Sequence, residues 1–126
     1  MTTQRRKLAL IAHDGKKTDM IDFARAQQAV LASFSLVGTA TTASLISDAT
    51  GLPVEKMLSG PCGGDVQIAA RVVTGDITAV IFLVDPLNAH PHDPDIQAVL
   101  RVCNVHNVPL ATNIATARIL LSIDHV

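Results

Sequence analysis

The chain alternates between short, continuous apolar runs and longer stretches with helical spacing. Residues 7–12 (KLALIA) predict a strand buried on both faces, and residues 18–34 predict a helix with Met20, Ile21, Phe23, Ala24, Val30 and Leu31 on its apolar side. Residues 35–39 read as a second strand. Thr42 is placed to cap a helix over residues 43–50, which Gly51 ends. A third strand over residues 54–58 is followed by a helix that Asp65 would cap and that ends near Gly75. Residues 78–84 (TAVIFLV) form the clearest strand signal, β-branched and uninterrupted. Asp93 and Pro94 resemble the N-cap and first residue of a helix reaching about His106. A fifth strand at 108–111 and a helix at 115–122 complete the pattern.

This alternation predicts an α/β domain spanning residues 1–126. Its architecture would be three-layer αβα, with a five-stranded parallel sheet doubly wound in the Rossmann or flavodoxin manner. In such sheets ligands sit outside the carboxyl ends of the strands. The segments at those ends are His13 to Lys17, Thr39 to Thr42, Ser59 to Asp65, Asp85 to Asp95, and Thr112-Asn113. Most ionisable or hydroxylated residues outside helices fall there, which favours a functional rim over incidental helix capping.

Two kinds of chemistry separate along this rim. Lys17, Thr39, Thr41, Thr42, Ser59 and the Gly60 N–H are donors suited to phosphate oxygens, and the glycine-rich turn 59–65 (SGPCGGD) opens a helix, a common seat for anions. His13, Asp14, Asp65, Asp85, His92 and Asp95 are candidates for acid–base work. The bland readings are helix caps for Asp65 and Thr42, and a solvated Lys17. Metal binding is a rival use of His and carboxylate, but the proline in His90-Pro91-His92 spreads the two rings, so no metal is expected.

Composition narrows the function further. The 126 residues are 48% hydrophobic but only 2% aromatic, so the core must be aliphatic and stacking platforms for single-stranded nucleic acid are lacking. A net charge of −1 gives no broad basic field for nucleic acid or membrane surfaces. Cys62 and Cys103 lie far apart without metal-ligand spacing. No apolar run approaches the roughly 20 residues that span a bilayer, and no signal peptide is evident, so a cytoplasmic protein is expected.

The strings AHD-x-K-K (12–17), the threonine-rich turn 39–42, LSGPCGGD-x-Q (58–67), DPLNAHPHDPD (85–95) and VPLATN (108–113) together resemble the methylglyoxal synthase family over nearly the whole chain. The resemblance implies a methylglyoxal synthase-like fold and a cofactor-free lyase of the glycolytic bypass, converting dihydroxyacetone phosphate to methylglyoxal and inorganic phosphate. It gives Asp65 the role of base. It makes His92 the histidine that hydrogen-bonds substrate oxygens and moves protons, and His13 a further substrate contact. Lys17, Thr39, Ala40, Thr41, Thr42, Ser59 and Gly60 would grip the phosphate, while Asp14, Asp85 and Asp95 would orient or tune the network. It further implies a homo-oligomer, typically a hexamer, inhibited by phosphate. The alternative is a regulatory phosphate-binding domain of the same fold without catalysis. The family commonly carries glycine where this chain has Ala40 and Ala43; the exchange is mild if φ is negative at Ala40 and weakens phosphate binding if it is positive.

Overall fold

The computed structural model describes residues 6–59, 62–87 and 93–122. The apolar runs form one five-stranded parallel sheet from β1 (Lys7–Ala12), β2 (Ser35–Gly38), β3 (Val54–Lys56), β4 (Ala79–Leu83) and β5 (Leu110–Ala111), in the order β3-β2-β1-β4-β5. β1 is central: Leu10 lies level with Gly38 of β2 on one side and with Ile81 of β4 on the other. The chain winds outward through β2 and β3, then returns to start β4 beside β1. The strand order therefore reverses between β1 and β4, and the crevice beyond their carboxyl ends is the expected ligand position.

Side-chain alternation along β1 and β4 divides the core into two layers. Leu8, Leu10, Ile81 and Leu83 pack against Met20 and Phe23 of α1 (Lys17–Ala26), Ile46 of α3 (Ala40–Thr50) and Leu120 of α6 (Ile114–Leu121). Ala9, Ile11, Val80 and Phe82 face Ile68 and Val72 of α4 (Gly64–Val73) and Val99 and Cys103 of α5 (Ile96–His106). The layers are the three-layer αβα arrangement expected from the pattern. Burial pushes the Cys103 thiol up to about 11, so it acts as a small apolar side chain. Among the described residues no helix is long and apolar enough to cross a membrane.

The element boundaries depart from the sequence reading in four places that matter. The expected helix over 18–34 breaks at Gln27 into α1 and the short α2 (Gln28–Leu31). The pattern hides this break because Leu31 stays in helical phase with Ala24, and both are buried. α3 begins at Ala40, not at residue 43, so Thr39 rather than Thr42 is its N-cap. α4 is preceded by Gly63 at φ +93°, which makes Gly63 the N-cap and moves Asp65 to the second helical position. α5 starts at Ile96 with Asp95 as its N-cap, so Asp93 and Pro94 lie outside the helix.

Away from the strand ends that form the candidate site, Arg71 of α4 binds Glu55 on β3 and Asp76 after α4, while Lys7 at the start of β1 donates to Asp76 at 3.0 Å. Lys7, with Arg71 adding to it, holds the Asp76 carboxyl below its ordinary range against the opposing effect of desolvation. Glu55 above all raises the Arg71 guanidinium. This cluster ties β1, β3 and α4 together.

Candidate active site

Three loops converge at the carboxyl edge because backbone groups stitch them together. Met57 N–H donates to Gly38 O at 2.8 Å, and Ala40 N–H reaches Leu58 O at 3.4 Å, which holds the loop after β3 against the start of α3. The N-terminus of α4 then packs directly on that loop. A Cβ at Gly64 would overlap the Leu58 carbonyl and would stand 3.1 Å from Thr39 Cγ2, so only glycine fits. The Ser59 carbonyl accepts from both Cys62 N–H and Gly64 N–H, closing the turn. The heads of α3 and α4 are thereby brought side by side, each with first-turn N–H groups that lack intrahelical partners.

The hydroxyls of Thr39 and Thr42 make no cap bonds at the head of α3. Thr42 is 1% exposed, and its Oγ1 has no hydrogen-bond partner among the described residues. A buried hydroxyl without a partner is costly, and it is explained if a ligand oxygen completes it. Thr41 is exposed beside it. Among the described non-glycine residues only Asn107 has positive φ, so Ala40 sits in ordinary helical geometry and its exchange for glycine is the mild case.

Asp65 is buried in the first turn of α4, and its Oδ2 accepts the Asp95 N–H at 2.9 Å. The Asp95 side chain in turn accepts from Gln97 N–H and caps α5. One carboxylate oxygen of Asp65 is thus anchored to the head of a second helix, which fixes its direction.

His13 closes the β1–β4 crevice. Asp85 N–H donates to its Nδ1 at 3.0 Å, so that nitrogen carries no proton; Nε2–H therefore donates to the Pro94 carbonyl at 3.0 Å. The ring is the neutral Nε2–H tautomer, packed edge-on against Phe82. Both nitrogens are engaged within the chain, and the ring clasps the two ends of segment 85–94. Asp85 also accepts from Leu87 N–H, and a Cβ on Gly15 would overlap its carboxylate.

Asp14 is exposed and pairs with Lys17, whose Nζ lies 2.8 Å from Asp14 Oδ1 and 3.2 Å from Ala12 O. Asp14 N–H donates to Asp93 Oδ1 at 2.9 Å. Asp93 is a site residue the sequence reading missed. Asp-Pro is a common helix start, and the pattern gave no sign that this carboxylate is buried. Asn113, expected on the rim, caps α6 by accepting from Thr116 N–H. Gly60 and His92 lie outside the described residues.

A cleft of about 340 Å³ lies beside this constellation, between the ends of β4 and β5 and the head of α6, lined in part by Lys16, Thr112 and Asn113. Its described lining includes none of the acid–base candidates, so the side-chain chemistry rather than the cleft locates the site. Among the described residues no group of three or more His, Cys, Asp or Glu is arranged to hold a metal ion.

A parallel α/β sheet with its polar groups at the β1–β4 reversal defines a class, and comparison with known proteins agrees: residues 19–112 match the MGS-like domain. The chain is 57% identical to the methylglyoxal synthase of Thermus thermophilus over 115 residues, 91% of each chain. It is 56% identical to that of Clostridium beijerinckii over 115 residues, 91% of this chain and 97% of the relative. The crystal structure of methylglyoxal synthase from Elizabethkingia anophelis superposes with a TM-score of 0.92 at 40% identity, covering 95% of this chain and 79% of that one. The chain belongs to the methylglyoxal synthase family.

Proposed function

We propose that this protein converts dihydroxyacetone phosphate to methylglyoxal and inorganic phosphate, with Asp65 as base. The observation that carries the proposal is the buried Asp65 carboxylate, anchored through one oxygen and set beside the donor-rich head of α3. Phosphate is held there by Thr39, Thr41, Thr42, Ser59, the turn backbone at Ala40 and the Gly60 N–H, with Lys17 supplying charge. Family membership supports the same assignment.

Asp65 takes a proton from the hydroxymethyl carbon, α to the carbonyl, and the released pair forms the enediolate. The hydroxyl on that carbon then loses its proton, its electrons collapse towards the phosphate-bearing carbon, and the C–O bond breaks with the pair leaving on phosphate. The resulting enol ketonises to methylglyoxal. Elimination needs the C–O bond held out of the enediolate plane, where it overlaps the π system, and a grip fixed on α3 independently of the base on α4 meets that need. Positioning and an oriented base are the means of acceleration.

His92 is the proposed proton carrier on the substrate oxygens. Asp95 orients Asp65, and Asp85 and Asp14 hold the His13 clasp and Lys17. No metal or cofactor takes part in the proposed steps. We further propose a cytoplasmic homo-oligomer, a hexamer, acting in a glycolytic bypass and inhibited by its product phosphate. Incubation with dihydroxyacetone phosphate in EDTA tests the reading: methylglyoxal and phosphate should form in equal amounts.

A further inference from the structure

We propose that Asp93 is a positioning residue for this reaction, setting the distance between the base Asp65 and the His13–Asp14 turn; the inference rests on the synthase reading above. The Asp93 side chain is only 4% exposed. Burying a carboxylate is expensive unless its hydrogen bonds are satisfied, so its place calls for a reason. Helix capping is not that reason, because Asp95 caps α5.

Three consecutive residues each hold a different part of the site. Asp93 Oδ1 accepts the Asp14 N–H at 2.9 Å. The Pro94 carbonyl accepts from His13 Nε2 at 3.0 Å. The Asp95 N–H donates to Asp65 Oδ2 at 2.9 Å. Proline restricts φ at the middle of this staple, so the outer bonds are held in a fixed relation. Asp93 Oδ2 also lies 3.9 Å from His13 Nδ1, beyond hydrogen-bond length; that nitrogen takes its proton contact from Asp85 N–H. By accepting from the backbone of Asp14, Asp93 joins the β1 turn to the segment that anchors the base. The threonine head of α3 is not part of this chain of bonds.

The test compares Asp93→Ala and Asp93→Asn in the full chain, using turnover of dihydroxyacetone phosphate and binding of two probes. The probes are inorganic phosphate and a phosphate-bearing hydroxamate that mimics the enediolate. Asp93→Ala should lower kcat at least tenfold and weaken hydroxamate binding by a similar factor, while phosphate still binds within threefold of the parent affinity at an unchanged number of sites per chain. Asp93→Asn keeps the acceptor and should recover kcat to within threefold. A merely structural role would lower Tm and the number of competent sites but leave the ratio of the two affinities unchanged, and that result overturns the inference. So does an asparagine variant as impaired as the alanine one. If Asp93→Ala does not fold, Asp93→Glu replaces it, since one added methylene displaces the acceptor and should give the same selective loss. If the parent protein makes no methylglyoxal, the synthase reading fails, and the affinity ratio still decides the role of Asp93.

Discussion

The carboxylate of Asp65 on α4 and the backbone N–H of Asp95 at the head of α5 are joined by a 2.9 Å hydrogen bond. This bond ties the proposed base to a neighbouring helix through one of its two oxygens. Asp95 keeps its N–H in place by capping α5. Asp95→Ala should therefore lower stability by about 1 kcal/mol, the usual loss for a removed cap. It should also depress kcat by more than that loss accounts for. Denaturant melts and steady-state kinetics on the same variant check both parts; a stability loss with unchanged kcat would separate the cap from the chemistry.

Thr42 gives a prediction with opposite signs for stability and binding. Its Oγ1 is buried without a partner among the described residues. Thr42→Val keeps the shape and removes the unsatisfied oxygen. The free protein should be stabilised, by about 1 kcal/mol or more, since leaving such a group unmade costs about 1–3 kcal/mol. Phosphate binding should weaken roughly tenfold. Thermal melts with and without phosphate would show the curves crossing; a variant destabilised in the absence of phosphate would contradict the assignment.

Gly64 is the close contact between α4 and the loop after β3. Gly64→Ala forces its methyl into the Leu58 carbonyl. A loss of about 1–3 kcal/mol is expected from overpacking. Phosphate affinity should fall with it, because the heads of α3 and α4 separate. Unfolding and phosphate titration of the variant measure both; unchanged values would mean that the two helices are not fixed by this contact.

Much of this arrangement could be read from the chain, but not all of it. The strands β1 and β4 were legible because their runs are apolar on both faces, and the rim followed from topology once five strands were counted. Helix starts were harder. Thr39 and Thr42, like Asp93 and Asp95, are equally good caps in local terms, and only the packing of the loops chooses between them. The displacement of Asp65 from the cap position needed the left-handed Gly63, which sequence offers but does not assign. Asp93 was hidden for a different reason: its burial depends on where Asp93 and Pro94 lie against the β1 turn, a long-range fact without a local signature.

Acid stability should depend on Asp76. Its carboxyl is held below the usual range by Lys7 and Arg71, so its contribution is present above the unfolded-state value and disappears as pH falls through the folded-state value. Asp76→Asn should thus be less stable than the parent at neutral pH, with the difference vanishing in acid below the ordinary carboxylate range. Denaturation midpoints across that window test the sign; a difference that grows in acid would contradict it. Activity per folded molecule should not change, since the cluster stands apart from the site.

Product analysis of the parent protein and Asp65→Asn, each with dihydroxyacetone phosphate in the presence of EDTA, decides whether Asp65 is the base of a metal-free synthase. The substitution keeps an oxygen for the Asp95 N–H and removes the base. The parent should release methylglyoxal and phosphate one to one, undiminished by the chelator. The variant should fold, bind phosphate and turn over about 10²–10⁴-fold more slowly, the usual worth of a general base. Phosphate binding without methylglyoxal from the parent, or near-parental turnover by Asp65→Asn, would contradict the account.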